Sequence, residues 1–294
     1  MDVDIRKTQL VELQILKEFK RICAEYDLKY FAIGGTCIGA IRHHGFIPWD
    51  DDIDVAMPFE DYMKFLSIAK DVLQSPYALY DPRNTEHWRC NFVKIHDTST
   101  TFVEENCMLY KERYAGVYID IMPICGLPNG RIRQWVSKHY VDNKLLLNQN
   151  LHTESSDHPK ITGKVLYSLI KAHHDRGDFD HFTKIIDKKY GRYKFANSDR
   201  VIFAWRRCRS FINRNWNYES VFYYEDFADS VEVPFEDTTI SVPKGYDRYL
   251  RMDFGDYMTL PPEAKQVPHH KIDIYDLDKP YIYYLNANFK EEME

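Results

Sequence analysis

Ile15, Phe19, Ile22 and Tyr26 recur at intervals of three and four, with Leu16 and Cys23 beside them, which predicts an amphipathic helix near the start of the chain. Leu28 to Ile33 is a short β-prone run halted by Gly34-Gly35, so it reads as a strand ending in a tight turn. Ile53 to Met57 reads as a second strand, stopped by Pro58. Tyr62, Phe65, Leu66, Ala69, Val72 and Leu73 follow at helical spacing, and further strands are expected over 91–96 and 116–121. The order helix, strand, strand, helix, strand, strand predicts an α/β (α+β) domain with a small mixed sheet and flanking helices. From Arg131 to about Tyr190 the period is helical, carried by Trp135, His139 and Leu145 to Leu147, then by Val165, Leu166, Leu169 and Ile170. Asp157-His158-Pro159 reads as a linker between those two stretches. After Tyr218 the chain is β-prone again, punctuated by Pro234, Pro243 and Pro261-Pro262. These shifts divide the chain into a core at 1–130, a helical insertion at 131–216 and a C-terminal segment at 217–294.

Composition narrows the class. Of 294 residues, 44% are hydrophobic and 29% charged, which excludes a disordered or low-complexity chain. No stretch approaches 18 consecutive apolar residues and the first residues form no signal core, so neither a spanning helix nor secretion is expected. The cysteines at 23, 37, 90, 107, 125 and 208 lack metal or redox spacing and read as reduced, cytosolic thiols. The net charge of −6 is unevenly spread: residues 131–216 hold 18 basic against 8 acidic groups, while the flanking segments are acidic. That basic segment reads either as a solvated face or as a surface for an anionic partner. With no basic stripe interleaved with aromatics, nucleic acid is not the expected partner.

The chemistry concentrates in one stretch. Asp50, Asp51, Asp52 and Asp54 place four carboxylates in five residues, and such a cluster repels itself unless a cation compensates it. On a strand, Asp52 and Asp54 would share a face roughly 7 Å apart, a spacing suited to hard cations such as Mg²⁺. Upstream, Gly34-Gly35 allows backbone amides to approach a phosphate closely. The rival reading is an acidic surface turn or a calcium loop. EF-hand spacing fails, with no glycine at loop position six and no Glu at twelve.

The run from Gly34 to Tyr62, GGTCIGAIRHHGFIPWDDDIDVAMPFEDY, closely resembles the signature of the LicD family of phosphocholine and glycan phosphotransferases. The resemblance continues at Lys94 to Asp97, at Tyr118 to Pro123 and through a closing block from Pro234 to His270. It implies a nucleotidyltransferase-like core and transfer of a phosphocholine-type group from CDP-choline to a sugar hydroxyl. The acceptor it implies is a cell-surface glycan such as teichoic acid or lipopolysaccharide, with CMP released. On this resemblance Asp52, Asp54 and Asp120 hold Mg²⁺ or Mn²⁺ and carry catalysis. Gly34, Gly35, Thr36, Arg42, Lys94, His269 and His270 face the donor's phosphates. Lipid-linked acceptors imply a cytoplasmic protein in peripheral contact with the inner membrane face, through the basic segment and in particular Arg206, Arg207 and Arg209. Three other readings stay open: a CDP-polyol donor, a true nucleotidyltransferase releasing pyrophosphate, and a non-catalytic module that binds metal or polyanions. If choline is the head group, aromatic rings are its natural receptor, with Trp49 a candidate beside the acids.

Overall fold

Asp4 starts the opening helix by accepting the Lys7 backbone N–H at 3.0 Å, which satisfies one of the donors every helix leaves unpaired at its N-terminus. Helix α1 then runs from Ile5 to Glu25, ten residues ahead of the apolar stripe at Ile15. Its first turns bury Thr8, Gln9 and Glu12, polar residues at inward positions, which is why hydrophobic spacing locates only its second half. The protein is described by a computed structural model over residues 3–81, 92–105, 115–130, 132–134, 136–137, 184, 187–203 and 221–286.

The strands are β1 (Phe31–Ala32), β2 (Asp54–Pro58), β3 (Tyr77–Tyr80), β4 (Val93–Asp97), β5 (Thr101–Glu104), β6 (Tyr118–Gly126), β7 (Arg200–Phe203) and β8 (Val221–Tyr223). All but β5 join one mixed sheet in the order β1-β2-β6-β4-β3, with β7 added to β6 and β8 to β7. Strand β6, buried along its whole length, is the spine: it pairs parallel with β2 and antiparallel with β4 and β7. Helices α2 (Gly34–His43) and α3 (Phe59–Val72) flank β2, and α1 and α3 pack on the sheet through a core that includes Phe19, Phe65, Val55 and Ile119. The expected α/β (α+β) class with a mixed sheet and flanking helices is what forms.

Three details differ from the expectation. Gly34-Gly35 is the first turn of helix α2 rather than a tight turn between strands. Asp52 precedes β2 and is not part of it, so the strand-face argument applies to Asp54 alone. Strand β7 lies inside 131–216, where only helix was expected; its run Val201-Ile202-Phe203 is fully buried between β6 and β8. Of the helical segment expected from Arg131 to about Tyr190, residues 132–134, 136–137, 184 and 187–190 are described and are helical; the rest, the linker at Asp157, and Arg206, Arg207 and Arg209 lie outside the described residues.

The C-terminal third folds back over the N-terminal core. One-turn helix α4 (Tyr224–Phe227) leads to a hairpin of β9 (Ser230–Phe235) and β10 (Thr238–Pro243), then α5 (Tyr246–Phe254), β11 (Ile272–Asp276) and α6 (Tyr281–Asn286). Strand β11 pairs antiparallel with β5, tying residues about 170 apart in sequence. At the hairpin tip, the Glu236 carboxylate accepts the Phe46 backbone N–H at 3.1 Å and the Arg6 guanidinium at 2.6 Å, while its own N–H reaches His44 O. The loop from His44 to Asp50 is therefore held from outside by the hairpin and from inside by Gln9, whose amide donates to Ile47 O and Asp50 O.

Helix α2 meets that loop without a side chain between them. A Cβ on Gly39 would overlap Gly45 O and crowd Ile47 N, both backbone atoms that cannot swing away. Gly39→Ala sets two effects against each other: a gain of about 1 kcal/mol in helix propensity and an overpacking cost of about 1–3 kcal/mol. The clash involves backbone, so the cost dominates and the variant unfolds at lower urea concentration than wild type. An unchanged or raised midpoint would show that the loop can yield.

Candidate functional site

Sheet register assembles the first three side chains. Asp54 on β2 is aligned with Asp120 on β6, and Asp120 in turn with Lys94 on β4, so the three stand in one row on one face of the sheet. Lys94 is buried, with Nζ 3.0 Å from Asp120 Oδ1, 3.8 Å from Glu104 Oε1 and 3.3 Å from the centre of the Tyr118 ring. It is the ammonium partner of Asp120, held by an aromatic face below it.

The acidic loop supplies the other carboxylates. Asp50, Asp52 and Asp54 line one cavity of about 170 Å³ together with Ile33, Gly34, Gly35 and His269. Residues Phe203, Tyr249, Asp253 and Phe254 complete its wall. Gly34 adopts φ +54°, and a side chain on Gly35 would collide with Asp50 Oδ2, so the glycines let the carboxylate sit directly on the start of α2. The Gly34 N–H donates to Tyr249 Oη at 2.9 Å, and Thr36 Oγ1 accepts the Asp54 N–H at 2.8 Å. The N-terminus of a helix carries partial positive charge, so this end of the cavity suits an anion.

Asp51 is adjacent in sequence but does a different job. Its carboxylate accepts the backbone N–H groups of His269 at 3.2 Å and His270 at 2.9 Å, and lies 3.3 Å from His270 Nδ1. It thus pins the C-terminal loop against the acids. His269 Nδ1 comes to 3.6 Å from Asp50 Oδ1. Among the described residues, Asp50, Asp51 and His269 form the one group whose ligand atoms converge within 4.8 Å; the expected trio of Asp52, Asp54 and Asp120 does not.

Electrostatics separates these neighbours. Burial, then the charges of Asp52 and Asp51, push Asp50 up to about 8. Asp54 rises well above the ordinary range for the same reason, with Asp52, Asp120 and Asp50 adding to burial, and burial raises Asp52 too. Burial lifts Asp120 to about 6, against the pull of Lys94. Burial would raise Asp51 also, but hydrogen bonds from the His270 ring and the His270 and His269 amides hold it below its ordinary value. Burial opposes a charged His270, yet Asp51 and the nearby Asp52 and Glu104 carry it up to about 9.

Other expected residues are placed otherwise. Arg42, at the end of α2, donates to Tyr257 O at 2.6 Å and so props the same C-terminal loop; it does not line the cavity. Trp49 packs edge-on to His43 and the core, and does not line the cavity either. Cys23, Cys37 and Cys125 are buried with their thiols pushed up, consistent with inert packing; the other three cysteines lie outside the described residues.

Glu12 was missed by motif reading. It is 1% exposed, Oε2 has no hydrogen-bond partner, and burial together with Asp52, Asp51, Asp50 and Asp120 raises it well above its ordinary value. The signal was available: a Glu at an inward position of α1, in a stripe with Thr8 and Gln9. The donors lining the cavity are mostly carboxylate oxygens under mutual repulsion, which fits a hard divalent cation such as Mg²⁺ or Mn²⁺ better than a soft one.

Residues 27–143 match the nucleotidyltransferase domain described as LicD/FKTN/FKRP, which spans α2, the acidic loop, Lys94 and Asp120. The chain is 29% identical over 289 residues to the lipopolysaccharide cholinephosphotransferase LicD of Haemophilus influenzae, covering 93% of this chain and 98% of that protein. An uncharacterised protein of Rickettsia prowazekii is 30% identical over 111 residues, 41% of its length, and one of Rickettsia typhi 34% over 73 residues, 24% of its length.

The Asp51–His270 clasp makes stability depend on pH. His270 titrates near 9 in the fold against an ordinary 6.5, so its contribution is complete below pH 6.5 and lost as pH rises through 9. Asp51 is shifted down, so its share is present above the ordinary 3.8 and lost as acid takes pH below that. In EDTA, wild type should lose more stability between pH 6.5 and 9 than His270→Gln does, measured as urea midpoints. Equal losses would mean the clasp carries no net charge interaction.

Proposed function

We propose that this LicD-family protein, with its nucleotidyltransferase domain at residues 27–143, transfers a phosphocholine group from CDP-choline to a hydroxyl of a lipopolysaccharide-type glycan. Support for the class of reaction comes from similarity along nearly the whole chain to a lipopolysaccharide cholinephosphotransferase. The observation that carries the reading is the cavity itself: buried carboxylates and the first turn of α2 together line a space of about 170 Å³. Phosphoryl-type transfer asks a protein chiefly for charge neutralisation and positioning, and this arrangement supplies both.

In this reading Asp50, Asp52 and Asp54 would hold the divalent ion, Mg²⁺ or Mn²⁺. Bound there, the ion supplies neutralisation of the donor's diphosphate charge. The first turn of α2 lends its positive end to the same space, where Gly35 leaves room for the Asp50 carboxylate. The acceptor oxygen forms a bond to the phosphorus bearing choline as the bridging P–O bond breaks, and CMP leaves with the bridging oxygen. Asp120, poised near 6 and steadied as a carboxylate by Lys94, accepts the hydroxyl proton. His269 and His270 close the site from the C-terminal side, with Asp51 as their anchor.

In this reading the reaction takes place at the cytoplasmic membrane face, in peripheral contact, where lipid-linked glycan precursors would be the acceptors. No helix among the described residues is long and apolar enough to cross a membrane.

Two measurements test this. Incubated with CDP-choline and Mg²⁺ or Mn²⁺, the protein releases CMP; pyrophosphate release instead would make it a true nucleotidyltransferase, and CMP from CDP-polyols alone would change the donor. Asp54→Asn and Asp120→Asn each reduce turnover to less than about a tenth of wild type; Asp54→Asn keeps its fold, since removing one repelling carboxylate relieves the metal-free protein, whereas Asp120→Asn strands the buried Lys94 ammonium and lowers the melting temperature. Retained turnover would remove that residue from the reaction. Separately, Mg²⁺ raises the melting temperature of wild type by mass action, and raises that of Asp54→Asn less. A cation shift equal in both would place the metal elsewhere.

A further inference from the structure

Helix α1 buries four polar or charged residues: Thr8, Gln9, Glu12 and Glu18. Three of them have partners. Thr8 Oγ1 donates to Asp4 O at 3.1 Å, and Gln9 Nε2 donates to Ile47 O at 3.1 Å and Asp50 O at 2.9 Å. Glu18 accepts two N–H groups of the Arg21 guanidinium, both at 2.8 Å, and the Gln74 N–H at 3.0 Å. Glu12 is the exception. It is 1% exposed, and its Oε2 has no hydrogen-bond partner among the described residues. Burying a carboxyl group without partners is costly, and a leucine or methionine in this helix would incur no such cost.

The surroundings make that cost larger. The charges that act on Glu12 most strongly are four carboxylates: Asp52, Asp51, Asp50 and Asp120. Helix α1 packs on β6 and β4, the strands of Asp120 and Lys94, and one turn earlier Gln9 grips the acidic loop. Glu12 therefore faces both the acidic loop and the row on the sheet, without joining the cavity wall.

We propose that Glu12 is a positioning residue of the cation site: from the α1 side its buried carboxylate presses Asp50 and Asp52 toward the cavity and adds charge that draws a divalent ion among them. This rests on the reading above that those acids hold Mg²⁺ or Mn²⁺. Repulsion disfavours Glu12 only while the acids are uncompensated. A cation held among them offsets the field at Glu12, so the free energy spent on burying it without a partner is recovered as affinity for the ion. Motif reading does not reach this residue, because it lies 38 positions before Asp50 in a helix that carries no motif of its own.

The probe is Mn²⁺ alone, titrated into the whole chain without nucleotide while the free ion is followed by electron paramagnetic resonance. Glu12→Gln and Glu12→Met each bind Mn²⁺ about tenfold more weakly than wild type, since each deletes a charge acting on a doubly charged ion. Two neutral substitutes are used because glutamine brings an amide that needs partners of its own, whereas methionine does not. Glu12→Asp keeps the carboxylate and stays within about threefold of wild type. In EDTA the urea midpoint of Glu12→Met is no lower than that of wild type, because no carboxyl remains to be buried among the acids. A residue needed only for packing behaves differently: Mn²⁺ affinity is unchanged in the neutral variants, or all three variants lose it alike. Either result overturns the assignment. Release of CMP from CDP-choline in Mn²⁺ is assayed alongside. CMP release by wild type with Mn²⁺ bound equally by Glu12→Gln removes Glu12 from the site and leaves the transferase reading. Charge-dependent loss of Mn²⁺ without any CMP release removes the transferase reading and leaves Glu12 in place. Absence of Mn²⁺ binding by wild type removes the cation site and the role of Glu12 with it.

Discussion

Repulsion among buried carboxylates is the constraint around which this fold is organised. Asp50 and Asp51 bring oxygens within 4.8 Å of each other, a separation that costs about 3 kcal/mol between full charges in a protein-like dielectric. Asp52, Asp54, Asp120 and Glu12 add to the same field. The fold answers each in a different way. Asp120 has the Lys94 ammonium, Asp51 has two amides and an imidazole, and Asp50 sits on the start of α2 where glycine leaves room. Asp50, Asp54 and Glu12 are left with raised proton affinity, a store of negative potential that any bound cation would release.

The same constraint explains why the two ends of the chain must meet. The acidic loop cannot hold its own shape: Gln9 of α1 grips its carbonyls, Glu236 of the β9–β10 hairpin grips its amide, and Asp51 grips the loop at 269–270. Pairing of β11 with β5 closes this circuit, since β11 begins two residues after His270. A site assembled from such distant pieces forms only when the whole domain has folded. Loss of any one tie would then register both as stability and as geometry at the cavity.

How much of this was legible depended on which physical signal each residue carried. Strands β2, β4 and β6 and helix α3 were visible because burial imposed apolar periods on them, and Asp54 and Asp120 stood out as acids inside those periods. The start of α1 was hidden because Thr8, Gln9 and Glu12 face inward toward polar partners, which breaks the period where the site needs it broken. Strand β7 was read as part of a helical segment because four residues are too few for a period to decide between helix and strand. The split between Asp50 and Asp51 could not be read at all. Adjacent and chemically identical, they differ because Gly35 seats Asp50 on α2 while amides more than 200 residues away, those of His269 and His270, hold Asp51. Arg42 was expected on phosphate because its fork suits an anion, but the carbonyls of the 257–259 turn claim it, and only the fold brings those near.

Polarity joins these observations to function. A row of carboxylates alone would favour any cation and repel a diphosphate. The start of α2 offsets part of that charge, because its glycines let the Asp50 carboxylate sit against the positive end of the helix. Helix α5 ends in the same wall, so its carbonyl end and Asp253 add to the negative potential beside Phe203, Tyr249 and Phe254. The cavity as a whole therefore stays negative, so an anionic donor enters only together with a cation held among the acids. That demand follows from packing the carboxylates against the start of a helix whose partial charge offsets them in part.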